Sequence, residues 1–500
     1  MNTVFNQVIS YIPALVVSVA GLAGLLTFFT GGKTFYRNFW STAASISCFS
    51  LVVSMVPGIL NGTVYLMPIA KLIPGISITF RVDALGMIFG LVSSTMWVFV
   101  NIYTIGYMEH EQNKRRFFSF FALSMFAAFG IAFSENLFTL FIFYEMLTLF
   151  TYPLVMHIET EDAFKAGSKY LIYTLTGGGF FLAAIIITYF LTGGTLTLSQ
   201  PGILPADAPT TVLTVLFFMY VIGFGVKAAL MPLHHWLPDA MIAPTPVSTL
   251  LHAVAVVKAG VFVALRVLFN VYGVQNLKHL NATNILAVMA GFTILAGSLI
   301  AMRQDNLKRR LAYSTISQLS YIILGAALLA PQAAIGAMIH IANHAFTKGT
   351  LFMCAGIIAE ETGKKNISEL KGLGRRLPLT MIMFSIAALG MIGIPPLAGF
   401  MSKWYLGIGA GQALKPIYMA VFLTSSMLNA AYFLPIIYTA FFESPDGEFK
   451  GAGKKVETTY LMLVPIAATT VGSFILGLFA TLPGLPLSIS RIATAFLFKV

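Results

Sequence analysis

Charge and cysteine are both scarce in this sequence. Asp, Glu, Lys and Arg make up 10% of the 500 residues, against roughly 25% in soluble domains. No segment has the charge to form a water-soluble domain. Only two cysteines occur, and Cys48 and Cys354 each stand alone in an apolar segment without CxxC spacing, so they read as small packing residues rather than metal or redox ligands. No glycine-rich phosphate loop follows a strand, and no cluster suggests haem, flavin or an iron–sulfur centre. The sequence therefore implies no cofactor and no metal site, and any redox chemistry belongs to another chain.

What the sequence has in abundance is apolar length. Hydrophobic residues reach 58%. Runs near 9–30, 38–58, 82–108, 117–134, 136–157, 167–192, 211–231, 243–269, 283–302, 310–329, 332–359, 378–408, 417–442 and 458–482 are each close to the ~20 residues that span a hydrocarbon core. This predicts an all-α polytopic membrane protein of about fourteen transmembrane helices. Continuous runs of this length exclude an outer-membrane barrel, whose strands are shorter and alternate.

The basic residues suggest an orientation. The first run, Val8 to Phe29, has no Lys or Arg before it and no obvious small-residue cleavage site, which favours a retained first span over a removed signal peptide. One set of alternate loops carries Lys114, Arg115 and Arg116, Lys308, Arg309 and Arg310, Arg375 and Arg376, and Lys450, Lys454 and Lys455. The other side keeps Lys71, Arg81, Arg266, Lys278, Lys415, Arg491 and Lys499. The bias places both termini on the outer side of a cell (inner) membrane. It also accounts for the formal charge of +12 as topology and anionic-lipid contact, with no need for nucleic-acid binding.

Five ionisable groups are left within spans: Glu145 in "LFIFYEMLTLF", Lys227, Lys258, Lys348 and Lys403. A charge in hydrocarbon costs about 2.5 kcal/mol or more, so each must face protein or water. Any one lysine could be snorkelling or structural; four with a carboxylate point to transport. Lysine suits proton handling because desolvation and neighbouring charges readily shift its protonation, whereas arginine stays charged. Glu145 near Lys227 would act as such a control.

His340, His344 and Lys348 follow at four-residue spacing, one helix face spanning about 12 Å. A row of imidazoles leading to an amine suits a proton relay. On the preceding span Ser314, Ser317, Gln318 and Tyr321 form a polar stripe that either lines water or makes helix-to-helix hydrogen bonds. His252 precedes Lys258 by six residues, roughly 120° around an unbroken helix, so the two would share a path only through water or another helix. Helix breakers adjoin two of the lysines: Pro232, Pro238, Pro244 and Pro246 after Lys227, and Gly393, Pro395, Pro396 and Gly399 before Lys403. Broken backbone at membrane depth is tolerated where it is buried in protein or lines a cavity, and paired interruptions suit an inverted repeat.

The motifs "FYEMLTLFTYPL", "PLHHWLPDAMIAPTPVSTLLHAVAVVKAG", "LKRRLAYSTISQLSYI", "NHAFTKGTLF" and "GIPPLAGFMSKW" resemble the antiporter-like subunits shared by complex I, Mrp-type cation/proton antiporters and membrane-bound hydrogenases. The length is Mrp D-like. The resemblance implies N-terminal helices over 1–116, two five-helix inverted repeats over 117–269 and 283–442, each with a discontinuous helix, and a last helix and tail over 443–500. It also implies a glutamate–lysine pair at Glu145 and Lys227, a central Lys258, a linking His344 and Lys348, and an exit-side Lys403. The function so implied is proton translocation, carried out beside other membrane subunits of an energy-converting complex. The alternatives are sodium translocation, a structural membrane subunit, or a solute carrier. A path lined by amines and imidazoles suits protons better than Na⁺, which wants several oxygen ligands.

Overall fold

The computed structural model describes residues 6–73, 76–444 and 457–499; Lys450, Lys454 and Lys455, with the rest of 445–456, lie outside them. In chain order the elements are β1 (Asn6–Ile9), α1 (Ile12–Thr30), α2 (Thr34–Leu60), β2 (Thr63–Ile73), β3 (Ile76–Val82), α3 (Ala84–Tyr107), α4 (Lys114–Ala132), α5 (Leu137–Val155), α6 (Glu161–Leu191) and α7 (Thr210–Lys227). Next come the short α8 (Trp236–Asp239) and α9 (Thr245–Thr249), α10 (Val256–Arg266), α11 (Gly273–His279), α12 (Ala282–Met302), α13 (Leu307–Ala327) and α14 (Pro331–Thr362). The chain continues through α15 (Leu373–Arg376), α16 (Pro378–Ile392), α17 (Ala398–Gln412), α18 (Pro416–Phe442), α19 (Tyr460–Leu478) and α20 (Pro486–Phe498). Among the described residues eleven helices are long and apolar enough to cross a membrane, and the protein is a multi-pass membrane protein.

Polar side chains start several of these helices by accepting a free backbone N–H of the first turn. Asp83 accepts from Gly86 at 2.8 Å, Asn136 from Thr139 at 2.8 Å, and Asn306 from Arg309 at 3.1 Å. Residues 245–274 are all buried, so this run forms the axis of the bundle. Gly260 lets α10 lie against the end of α7, because a Cβ there would run into the backbone of Lys227 and Ala228.

Both expected backbone breaks are present. After Lys227 the chain turns through Ala229 at φ 54° before α8, and Trp236 Nε1 donates to the freed Val226 carbonyl at 2.8 Å. After Ile392, Gly393 at φ 97° ends α16, its N–H meeting Leu389 and Gly390 carbonyls at 3.0 and 3.1 Å. Helix resumes at Ala398.

Three features depart from the sequence reading. Residues 59–81, expected as a loop between spans, contain β2 and β3, which pair antiparallel while β1 pairs parallel with β2; "TVYLMPIAKLI" is β-prone but bends before it can cross a bilayer. The tail contains α20, whose apolar face packs on α3 and α14. Arg81 and Arg266 are not loop charges but are buried on Asp83.

Candidate functional site

At the centre, Lys258 on α10 meets His344 on α14, Nζ to Nδ1 at 2.6 Å. Both are sealed from solvent. His340 follows one turn away, its ring 6.0 Å from that of His344 and stacked on Tyr321 at 5.5 Å. Its Nδ1 meets Ser402 Oγ at 2.8 Å, while Nε2 of each histidine has no hydrogen-bond partner among the described residues. The four-residue spacing thus places the imidazoles as expected, with Lys258 joining them from another helix.

Lys348, one turn beyond His344, donates to Ser314 Oγ at 2.8 Å. Ser314 meets Tyr432 OH at 2.8 Å, and Tyr432 donates to Asn429 Oδ1 at 2.5 Å. Asn429 Nδ2 in turn donates to the Met391 carbonyl at 3.2 Å, which also accepts from Lys403 Nζ at 2.9 Å. Polar contacts therefore run from Lys348 to Lys403. Only the two hydroxyls can both accept and donate a proton, so the relay proper ends at Asn429.

The serines of the stripe make helix-to-helix hydrogen bonds. Ser314 belongs to this chain, whereas Ser317 bonds Ser298 at 3.0 Å and Ser298 meets Ser425 at 3.3 Å, which ties helices together. Tyr321 donates to the Phe422 carbonyl at 3.3 Å. Gln318 is buried with neither amide atom partnered.

Lys227 is the last residue of α7 and is 1% exposed. Its ammonium donates to the Tyr144 carbonyl and lies 3.3 Å from the centre of the Tyr144 ring. No ion pair joins it to Glu145 among the described residues. Tyr144 and Glu145 project about 100° apart on α5, and the lysine has taken the tyrosine side. The half-buried Glu145 carboxylate instead lies over Gly178 of α6, with Oε1 unpartnered. The expected pair is thus open in this structure.

His252 is not part of the hydrogen-bonded cluster. It lies on a π-turn, Leu250–Val254, and the next residue, Ala255, leaves helical geometry at φ −121° and ψ −72°. The 120° relation to Lys258 assumed an unbroken helix and does not apply. The ring packs 4.5 Å from Phe352 with both nitrogens unpartnered among the described residues.

Two cavities flank the site. One of about 860 Å³ is lined by Lys169, Asp239, Thr245, Lys308 and Glu360, among others. Lys169 pairs with Asp239 at 2.6 Å, and Lys308 donates to the Ala243 carbonyl at 2.7 Å. The other, of about 500 Å³, is lined by Lys278, His279, Asn284, Pro331, Gln412 and Lys415. Helix α14 reaches the first with Glu360 and the second with Pro331, so they open at opposite ends of the bundle.

The sequence reading missed Tyr144, Ser402, Asn429 and Tyr432. A lone mid-span Asn in the apolar α18 was the available signal for one of them.

Residues 134–429 match the family described as NADH:quinone oxidoreductase/Mrp antiporter, TM, and residues 73–118 match the N-terminus of chain 5 of NADH-ubiquinone oxidoreductase (complex I). The NADH-quinone oxidoreductase subunit N of Desulforudis audaxviator is 35% identical over 395 residues, covering 76% of this chain and 77% of that protein. The NAD(P)H-quinone oxidoreductase subunit 5 of the Zygnema circumcarinatum chloroplast is 33% identical over 74% of this chain, which spans 53% of that longer protein. In structure, a chain of the Mrp complex from Dietzia sp. superposes with a TM-score of 0.86 at 22% identity, with 98% and 97% of the two chains covered, a likeness of fold. On these grounds the chain belongs to the family of complex I and Mrp-antiporter membrane subunits.

Proposed function

We propose that the chain moves protons across the membrane as one subunit of a multisubunit energy-converting complex. The observation that carries this reading is the Lys258–His344 contact at 2.6 Å. It sets an amine against an imidazole in a water-excluded core, between cavities that open at opposite ends of the bundle. Protons enter near Lys227, pass to Lys258, cross to His344 and Lys348, and leave past Ser314 and Tyr432 toward Lys403. His340 and Ser402 offer a branch to the same end of α17, and His252 stands beside the path as a further titratable group. The two broken spans are the equivalent points of two inverted repeats over 117–269 and 283–442.

The driving signal is electrostatic. An ammonium holds its proton more tightly when a carboxylate is near than when it stands alone in a poorly solvated site. Glu145 turned from Lys227 is one arm of such a switch, and closing the pair is the other. Moving one charge against 100 mV costs about 2.3 kcal/mol, within reach of making or breaking a desolvated ion pair. The chain works in the inner cell membrane with other membrane subunits, both termini outside. Sodium finds no comparable path, since ammonium groups line the route from Lys227 to Lys403.

The test is Glu145→Ala and Lys227→Ala in the assembled complex, reconstituted into vesicles and assayed by quenching of a pH-sensitive dye. Both are expected to lose most coupled pumping while assembly persists. Full pumping in either variant overturns the switch.

A further inference from the structure

Arg266 is a buried charge outside the path just described. It lies on α10 eight residues beyond Lys258, about 12 Å further along the helix at 1.5 Å per residue, toward the sheet, and is 2% exposed. Its two terminal nitrogens grip Asp83, Nη2 to Oδ1 at 2.8 Å and Nη1 to Oδ2 at 2.7 Å. The guanidinium also sits 5.2 Å from the Phe262 ring, which lies one turn nearer Lys258.

Asp83 is itself fixed by capping α3. Arg81, 4% exposed, adds a second cation 3.6 Å from Asp83 and donates to the Leu198 carbonyl at 2.8 Å. The other nearby acid, Glu135, makes no ion pair with either arginine among the described residues and accepts from the Thr197 hydroxyl. Ala493 and Leu497 of α20 close the crevice beyond. Two guanidinium groups therefore share one carboxylate, and Arg266 is carried on the same helix as Lys258.

Among the described residues the second half has no buried arginine clasp at this end; its cation there, Lys415, lines a cavity and donates to Asn284 Oδ1 at 2.5 Å. Its arginines Arg303, Arg309, Arg310, Arg375 and Arg376 all lie at the opposite ends of their helices. At the sheet end it opens into the 500 Å³ cavity.

We propose that Arg266, held by Asp83, is the electrostatic seal of the first half: a permanent cation that bars protons at Lys258 from leaving on the sheet side and commits them to His344. The idea rests on the proton-path reading above. Arginine is suited to the task because it does not deprotonate in proteins, and fixed cations serve as barriers in selective pores. Removing a unit charge about 12 Å from Lys258, at an effective dielectric near 20, changes proton occupancy on the order of tenfold.

The experiment measures passive proton influx into vesicles holding the assembled complex, driven by an imposed potential with no driving reaction. Arg266→Gln leaves Asp83 paired with Arg81 and removes one positive charge from the cluster; it is expected to leak on the order of tenfold faster than wild type. Asp83→Asn breaks the same fork but keeps both cations, and is expected to stay as tight as wild type. Arg266→His supplies a readout within one protein, tight at acidic pH and leaky at alkaline pH relative to wild type. The seal is overturned if assembled Arg266→Gln is tight, if Asp83→Asn leaks equally, or if Arg266→His shows no pH-dependent leak. Lys258→Met separates the parent reading: normal pumping there overturns the path itself, whereas lost pumping with a tight Arg266→Gln overturns the seal alone.

Discussion

Lys227 and Lys403 both stand beside a broken helix, yet they are held in different ways. Lys403 reaches across its break to the Met391 and Ile392 carbonyls, each at 2.9 Å, and to Ser426 Oγ at 3.0 Å. Its three donors are satisfied, and the orphan carbonyls at the end of α16 are satisfied with it. Lys227 has one carbonyl and the face of an aromatic ring. A lysine short of acceptors is free to answer a carboxylate that moves, while a saturated one anchors the backbone it bridges. In the proposed path the same residue type is thus a switch at Lys227 and a fixed end point at Lys403.

The largest effect is expected where the halves join. Lys258→Met removes the amine in contact with His344, and loss of a proton-transfer group typically costs about a hundredfold or more. Lys258→Arg should fail as badly, since a guanidinium keeps its proton. Pumping by the assembled complex is the measurement, and an active arginine variant would mean that charge alone matters at the junction.

How much of this was legible in the sequence follows from which contacts are local. The helices, both breaks and the His340, His344 and Lys348 row depend on hydropathy, proline and four-residue spacing, all of which one segment carries by itself. Tyr432 and Asn429 lie far along the chain from Lys348, and no pattern within α18 states which helix it faces. The Glu145–Lys227 distance depends on which way a side chain turns, and spacing is silent on that. His252 was misplaced because a π-turn changes the angular step. Arg266 was mistaken for a loop charge because it sits near the end of a predicted span, where positive charge usually marks a boundary.

The first half should depend on its clasp for stability. Asp83→Asn leaves Arg266 buried with a weakened partner, a change that typically costs about 3–5 kcal/mol. Burial alone would push the Asp83 carboxyl up, but Arg266 and Arg81 beside it hold it well below the usual carboxylate range. A carboxylate whose folded pKa is depressed contributes stability above its unfolded value, about 3.9, and loses it as pH falls through the folded one. The melting-temperature gap between wild type and Asp83→Asn should therefore be constant from pH 8 to about 5 and shrink only in strong acid. A gap that closes near neutral pH would contradict the assignment.

Lys403→Ala takes the ammonium from the Ile392 carbonyl, while Met391 keeps Asn429 as a donor, and an unsatisfied buried carbonyl costs about 1–3 kcal/mol. Its melting temperature should fall below that of Lys227→Ala, while Lys227→Ala should lose more of the coupled pumping. The reverse order would exchange the switch and the anchor. Tyr432→Phe tests the second half more gently, deleting one hydroxyl between Ser314 and Asn429 with little change of shape. The His340–Ser402 branch stays intact, so pumping should fall, but less than in Lys258→Met, with assembly unchanged.

The smallest effect concerns the position of the Glu145 carboxylate. A Cβ at Gly178 would overlap it, whereas a Cβ at the next residue, Gly179, meets nothing within 4 Å. Both lie on α6, so Gly178→Ala and Gly179→Ala carry similar intrinsic helix gains and differ in what they touch. The carboxylate is the end of a flexible side chain and can yield, so Gly178→Ala should assemble. Shifting a charge by about 1 Å from a partner several ångströms away changes their energy by a few tenths of a kcal/mol at an effective dielectric near 20, roughly twofold in rate. Pumping should change by that amount in Gly178→Ala and stay at the wild-type level in Gly179→Ala. Equal rates in the two variants would mean that the switch in the first half does not depend on where the carboxylate rests.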